Sequence, residues 1–187
     1  MASFPSSYIK TESSSVTRSA DICSITSTNF SEWFNLSGVT MLWEGVFRQE
    51  TLGFQWMPAK IGPATDVALR GFGIQVETDG GVRSRYRDDD GSRLTGNLTV
   101  TNSGVLKIAS TFDVANSRII NAANGVVYSA QSVTGFDISL FQSLYIGNGL
   151  YLAGTSGTAK TQNTWVKKIT IYPRELSSVQ LQALTRG

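Results

Sequence analysis

The densest polar chemistry in the chain is Arg83-Ser84-Arg85-Tyr86-Arg87, followed at once by Asp88-Asp89-Asp90. In a strand, residues two apart point the same way, so Arg83, Arg85 and Arg87 form a row of guanidinium groups on one face. A guanidinium is a planar set of donors matched to a carboxylate. Such a row suits acidic sugars, with Tyr86 adding an amphipathic ring. The competing reading is a solvated strand and turn in which the aspartates neutralise the arginines by surface ion pairing. Three carboxylates in a turn also offer hard oxygen ligands to calcium. Asp88, Asp89 and Asp90 do not follow the spaced pattern of an EF-hand loop, and a solvated acidic loop is the simpler account. No cofactor is expected.

Sugar binding needs an aromatic face for the apolar side of a pyranose ring, with polar groups for its hydroxyls. Trp33, Trp43, Trp56 and Trp165 carry the largest faces. Trp56 is favoured by its place near a turn, whereas Trp43 reads as core. Tyr86, Tyr128, Tyr145 and Tyr151 are further amphipathic surfaces. The candidate ligand set is therefore Trp56, Arg83, Arg85, Tyr86 and Arg87.

Composition narrows the chemistry. The 187 residues contain no histidine and one cysteine. That excludes a Ser/His/Asp triad, histidine-ligated zinc, an internal disulfide and a cysteine-rich metal site. Cys23, within Ile22-Cys23-Ser24-Ile25, is expected to be a buried thiol. Glycoside hydrolysis needs two carboxylates across the scissile bond. Glu44, Glu50, Glu77, Asp79, Asp113 and Asp137 are available, but nothing in their spacing selects a pair, so no enzyme is expected. No phosphate-binding glycine loop is present. Sixteen basic against 14 acidic residues give a net charge of +2, too balanced to imply a nucleic-acid partner. No apolar run approaches the ~18 residues of a membrane span. Met1 to Tyr8 lacks a basic segment followed by an apolar core, so no secretory leader is expected there.

The elements that must position these residues are short strands. Hydrophobic residues make up 41% of the chain and charged residues only 16%, with abundant serine and threonine. Residues 1–20 read as a polar arm lying on the domain, and 21–187 as one β-domain. Met41 to Arg48 is a strand by residue type. Leu52 to Trp56 is a second, ended by Pro58. Val67 to Val76 and Val82 to Tyr86 flank Thr78-Asp79-Gly80-Gly81 and form a hairpin. Gly96 to Thr101 pairs with Val105 to Phe112 around Asn102-Ser103-Gly104. In the latter strand, Leu106, Ile108 and Ser110 oppose Lys107, Ala109 and Thr111. Arg118 to Asn121 and Val126 to Tyr128 flank a corner at Asn124-Gly125. Leu144 to Gly147 and Trp165 to Tyr172 complete the strands. A single helical turn is expected near 28–34, with Asn29 as cap and Glu32 three residues on. After Pro173, Ser177 caps a short helix whose Leu181 and Leu184 cover the sheet. Many strands without strand–helix alternation point to an all-β sandwich of two antiparallel sheets.

Several stretches resemble the concanavalin-A-like, laminin-G-like domains at the C-termini of bacteriophage tail fibres and tailspikes. They are Phe4-Pro5-Ser6-Ser7-Tyr8-Ile9 with Val16 to Asp21, Leu106 to Phe112 with Asn124-Gly125, and Ile169 to Ser177 with Leu181 to Thr185. The resemblance implies a jelly-roll sandwich with a short C-terminal helix. It implies a lectin-like, non-catalytic host-attachment module that binds a bacterial cell-surface polysaccharide. It further implies a homotrimer in the tail of the virion, made in the host cytoplasm, with neither nucleic acid nor membrane as partner. A trimerising or capping module that binds no sugar is the alternative.

Overall fold

The computed structural model describes residues 23–47, 56–63, 71–76, 81–88, 91–95, 98–99, 104–133, 138–139, 141–149 and 164–187. In chain order the elements are β1 (Cys23–Thr26), α1 (Ser27–Ser31), β2 (Gly38–Phe47), β3 (Trp56–Gly62), β4 (Gly71–Val76), β5 (Gly81–Asp88), β6 (Gly91–Leu94) and β7 (Leu98–Thr99). There follow β8 (Leu106–Asp113), β9 (Arg118–Ala123), β10 (Val126–Val127), β11 (Gln131–Ser132), β12 (Ser143–Gly149), β13 (Thr164–Tyr172) and α2 (Ser178–Thr185). The expected arm at 1–20 lies outside the described residues, as do Asp89 and Asp90.

The strands form two stacked antiparallel sheets. Sheet A runs β1-β12-β3-β4-β5-β6, with β7 beside β5; sheet B runs β10-β9-β8-β2-β13, with β11 beside β9. With the short C-terminal helix, this is the all-β jelly-roll sandwich of concanavalin-A-like domains. Period-2 alternation explains the layers. In β8, Leu106, Ile108 and Phe112 enter the core between the sheets, while Ala109 joins Leu42, Ile120 and Ala122 on the outer face of sheet B. There Leu176 and Leu181 of the C-terminal segment bury themselves against that strip. The helix α2 begins with a capping box: Ser177 Oγ accepts from Gln180 N, and Gln180 Oε1 accepts from Ser177 N.

Aromatic rings fill one region of the core. Phe112 packs at 5.1 Å from Phe72 and 5.5 Å from Tyr86, and Phe141 bridges to Phe34 and Phe30. Trp43 is fully buried, as its place in an apolar strand suggested. The Asn124-Gly125 corner is a two-residue turn between Ala123 and Val126, with φ of 48° and 80°. Both values lie in the left-handed region that Asn and Gly tolerate.

Four local expectations are corrected. Pro58 does not end a strand but lies inside β3. Register shifts on both flanks, against β4 and against β12, absorb its missing donor. Residues 98–99 pair with β5 rather than with β8, because β8 already has β2 on one side and β9 on the other. Asn29 lies inside α1; Thr26 is the cap residue and makes no side-chain cap bond. Cys23 is exposed, not buried, because β1 is a four-residue edge strand in which only Ile25 turns partly inward.

Candidate functional site

The alternation of β5 sorts the polar cluster onto two faces. Val82, Ser84 and Tyr86 point between the sheets; Ser84 Oγ donates to Ser110 Oγ at 2.7 Å, and Tyr86 is 1% exposed among core rings. Arg83, Arg85 and Arg87 therefore share the outer face of sheet A. The expected row of arginines is present, but Tyr86 belongs to the core rather than to the site. Its parity in the strand is the reason.

Neighbouring strands complete that face. In β4, Phe72, Ile74 and Val76 enter the core, leaving Gly71, Gly73 and Gln75 outward. In β3, Ala59 and Ile61 enter the core, leaving Lys60 outward. Lys60 and Arg85 stand on opposite sides of Gly73 in register. Arg83 stands opposite Gln75, and Arg87 opposite Gly71. On the far side of Lys60 is Tyr145, whose Oη donates to the Pro63 carbonyl at 2.8 Å.

The two glycines put no side chain of their own into this row. A Cβ at Gly71, where φ is +142°, would lie 2.7 Å from Lys60 Cε, so the lysine stem runs across that position. Gly73 has no side chain to separate Lys60 from Arg85. Glycine inside a strand marks such close approaches. Arg85 Nη1 donates to Gln75 Oε1 at 2.8 Å, which fixes the guanidinium plane. Lys60 and Arg85 are only 1% and 4% exposed, whereas Arg83 and Arg87 are half-buried. Thus two cations are taken out of bulk water at the floor, and two more stand along β5 within reach of solvent. In such a setting a charge-assisted bond to an anion is stronger than in water.

Lys60 and Gln75 were not among the residues singled out from sequence. The available signal was Gly71-Phe72-Gly73-Ile74-Gln75, an alternation that empties one face of a strand. Trp56 opens β3 opposite Val76, and only its backbone is described. The same holds for Asp88, opposite Gly91, so the calcium reading of Asp88 to Asp90 lies outside the described residues.

The structure does bring one carboxyl pair together. Asp113, at the end of β8, and Glu175, after β13, share a hydrogen bond. Burial pushes the Asp113 carboxyl up, but bonds from Glu175, Asn116 and Arg118 outweigh it and hold it at about 2. Arg118 Nε donates to Asp113 Oδ2 at 2.6 Å. The hydrogen bond to Asp113 pushes Glu175 up. Two carboxyls in direct contact leave no room for the sugar that a glycosidase pair flanks at about 5 Å or more. Their geometry ties a corner of the sandwich.

No family model and no curated protein matches the chain by sequence. The two-sheet architecture with its short C-terminal helix places the chain in the structural class of concanavalin-A-like jelly-roll folds. Within that class, one similar solved structure is the Ruminococcus gnavus IT-sialidase CBM40 bound to α2,3-sialyllactose. It has a TM-score of 0.66 and 16% identity, covering 89% of this chain and 97% of that one. The NanB sialidase of Streptococcus pneumoniae, as its K499G mutant, gives 0.67 and 12%, covering 88% of this chain and 27% of that enzyme. The SAP-like pentraxin of Limulus polyphemus gives 0.58 and 13%, covering 80% and 70%. At these identities the likeness is one of fold.

Proposed function

We propose that the chain is a non-catalytic glycan-binding module that takes an acidic sugar on the outer face of sheet A. The observation that carries this reading is the set of Arg83, Arg85 and Arg87 beside Lys60 and Gln75, on one face across Gly71 and Gly73. A sugar carboxylate pairs with Arg83 or Arg87, while Arg85, oriented by Gln75, and Lys60 supply the positive floor. The sialyllactose-bound CBM40 supports the class of ligand through its fold alone. In keeping with the sequence resemblance, the module serves a phage tail fibre or tailspike. It is presented there in a homotrimer on the virion tail, and its receptor is a bacterial cell-surface polysaccharide. One shallow site binds weakly, and several copies on one fibre add avidity of roughly 10²–10⁴.

The test is binding of sialyllactose and of isolated host polysaccharide to the full chain, measured by calorimetry. Arg83→Gln and Arg87→Gln should each weaken binding about tenfold, and the double variant further, with unfolding unchanged. Neutral lactose should bind at least tenfold more weakly than sialyllactose. Unchanged affinity in all three variants refutes the site. If the chain binds no glycan and its removal stops fibre assembly, the trimerising role replaces this one.

A further inference from the structure

The outer face of sheet B is only partly covered. The helix α2 and Leu176 seal the strip of Leu42, Ala109, Ile120 and Ala122. Beyond that strip the sheet presents a charged rung: Glu44 in β2 lies opposite Lys107 of β8 on one side and Lys168 of β13 on the other. Adjacent strands stand about 4.8 Å apart, so the two lysines flank the carboxylate.

A β-bulge adds a third lysine. Strict alternation would turn Lys167 to the face opposite Lys168. The register instead shifts between Val166 and Lys168, leaving Lys167 as the extra residue. Its Nζ donates to Glu44 Oε1 at 2.5 Å, so it too reaches the outer face. Gly45 permits this arrangement: a Cβ there would lie 2.0 Å from the Trp165 carbonyl oxygen and 2.6 Å from the Trp43 ring. Trp165 itself stands opposite Val46, which shares the face of Glu44, and is 58% exposed. The Glu44 carboxyl is pushed down by its bond from Lys167 and then by the charges of Lys107 and Lys168, so it stays ionised. Three ammonium groups against one carboxylate still leave an excess of two positive charges. The whole chain has a net charge of +2, so this is a local concentration of charge.

We infer that Trp165, Lys107, Lys167 and Lys168 form a second binding surface, distinct from the arginine face, for an extended polysaccharide that carries carboxylates. The exposed indole offers a stacking face to a pyranose ring. Ammonium groups on long stems accept anions at variable positions, unlike the fixed fork of arginine. The lysines stand on two strands, β8 and β13, on either side of Glu44, a layout suited to successive acidic residues of one chain rather than to a single sugar. The surface lies on the opposite side of the sandwich from the Arg83–Arg87 row. One fibre module can therefore hold a terminal acidic sugar on one face and a polymer segment on the other.

The experiment titrates the full chain with alginate, a polyuronate, at low and high sodium chloride. Neutral dextran and a single-stranded oligonucleotide of equal charge serve as controls. The wild-type chain should bind alginate and lose affinity with salt as the exposed charges are screened. It should ignore dextran. Lys167→Gln/Lys168→Gln should weaken alginate binding about fivefold, and Trp165→Ala about fivefold or more. The lysine and Trp165 variants are also compared in an Arg83→Gln/Arg87→Gln background, which removes the arginine face's own hold on carboxylates and so separates this surface from it. Lys168→Gln alone, at an exposed position, keeps the test valid if a multiple variant unfolds; about a twofold loss is expected. The inference is overturned if wild-type binds no alginate at low salt, or if the lysine and Trp165 variants match wild-type. It is also overturned if the Arg83→Gln/Arg87→Gln background alone abolishes alginate binding, or if the oligonucleotide binds more tightly than alginate. A change in solution mass on Trp165→Ala in the absence of ligand would instead identify the patch as a contact between copies.

Discussion

Replacing Asp113 by Asn should weaken the fold at neutral pH in a way that acid erases. Asp113 Oδ1 accepts from Asn116 N at 3.1 Å, and its two oxygens take further bonds from Asn116 Nδ2 and Arg118 Nε. Its carboxyl sits at about 2 instead of 3.8. By linkage that difference corresponds to about 2 kcal/mol. Solvent screening of the partly exposed Arg118 makes this an upper figure. The sign is fixed by the direction. A depressed carboxyl stabilises the fold above pH 3.8, and the contribution is lost as pH falls toward 2. Glu175 acts in the opposite sense. Raised above its ordinary 4.5, it contributes below that pH, and the contribution is lost as pH rises through its shifted value. This corner is therefore tightest near pH 4, with Asp113 ionised and Glu175 protonated. Urea unfolding followed by tryptophan fluorescence should show Asp113→Asn less stable than wild-type by up to about 2 kcal/mol near pH ~4 and by less at pH ~7. The gap should close by pH ~2. Glu175→Gln mimics the protonated partner. It should raise stability near neutral pH and change little near pH ~4. A gap between wild-type and Asp113→Asn that is independent of pH would refute the reasoning, as would a loss of neutral-pH stability in Glu175→Gln.

Other expectations are simpler. Leu181→Ala removes a fully buried anchor of α2 and should cost about 3 kcal/mol, read by thermal unfolding. Ser177→Ala, which deletes the cap bond to Gln180 N, should cost about 1 kcal/mol. Cys23 should react with a thiol reagent in the native state at nearly the rate of the urea-unfolded chain, because it is exposed. Gly45→Ala should be among the most damaging surface-strand changes, over 3 kcal/mol, since the added carbon meets backbone at 2.0 Å. Soluble yield and unfolding temperature would check it.

Local pattern made the central strands readable. β2, β8 and β13 carry strand-forming residues in runs long enough to show alternation, and Asn124-Gly125 demands its turn. Pairing partners were less readable, because they depend on which edges are already taken. Residues 98–99 follow the nearest turn signal toward β8, yet they pair with β5, since both sides of β8 are taken. Pro58 looked like a strand terminator because the bulges that accommodate it arise from β4 and β12. The arginine row followed from period 2. The same argument, applied to Tyr86, assigns that ring to the core. Lys60 and Gln75 join the site from strands distant in sequence, so no local window contains it. Lys167 and Lys168 look like ordinary neighbours on opposite faces until a bulge turns both one way.

Apolar faces are indifferent to small displacements: two oily layers slid by one residue would still bury most of their area. Between these sheets there are also directional links. Ser84 Oγ donates to Ser110 Oγ and to the Ile120 carbonyl at 3.0 Å, and Asn121 Nδ2 donates to the Val82 carbonyl at 3.2 Å. Sliding either layer would strand those buried donors and acceptors at about 1–3 kcal/mol each. The bonds thus act as a dowel against shear. They lock the layer bearing the Arg83–Arg87 row to the layer bearing Trp165 and the lysines. A force applied to one layer is then transmitted to the other as a rigid-body load, with no slippage between the sheets.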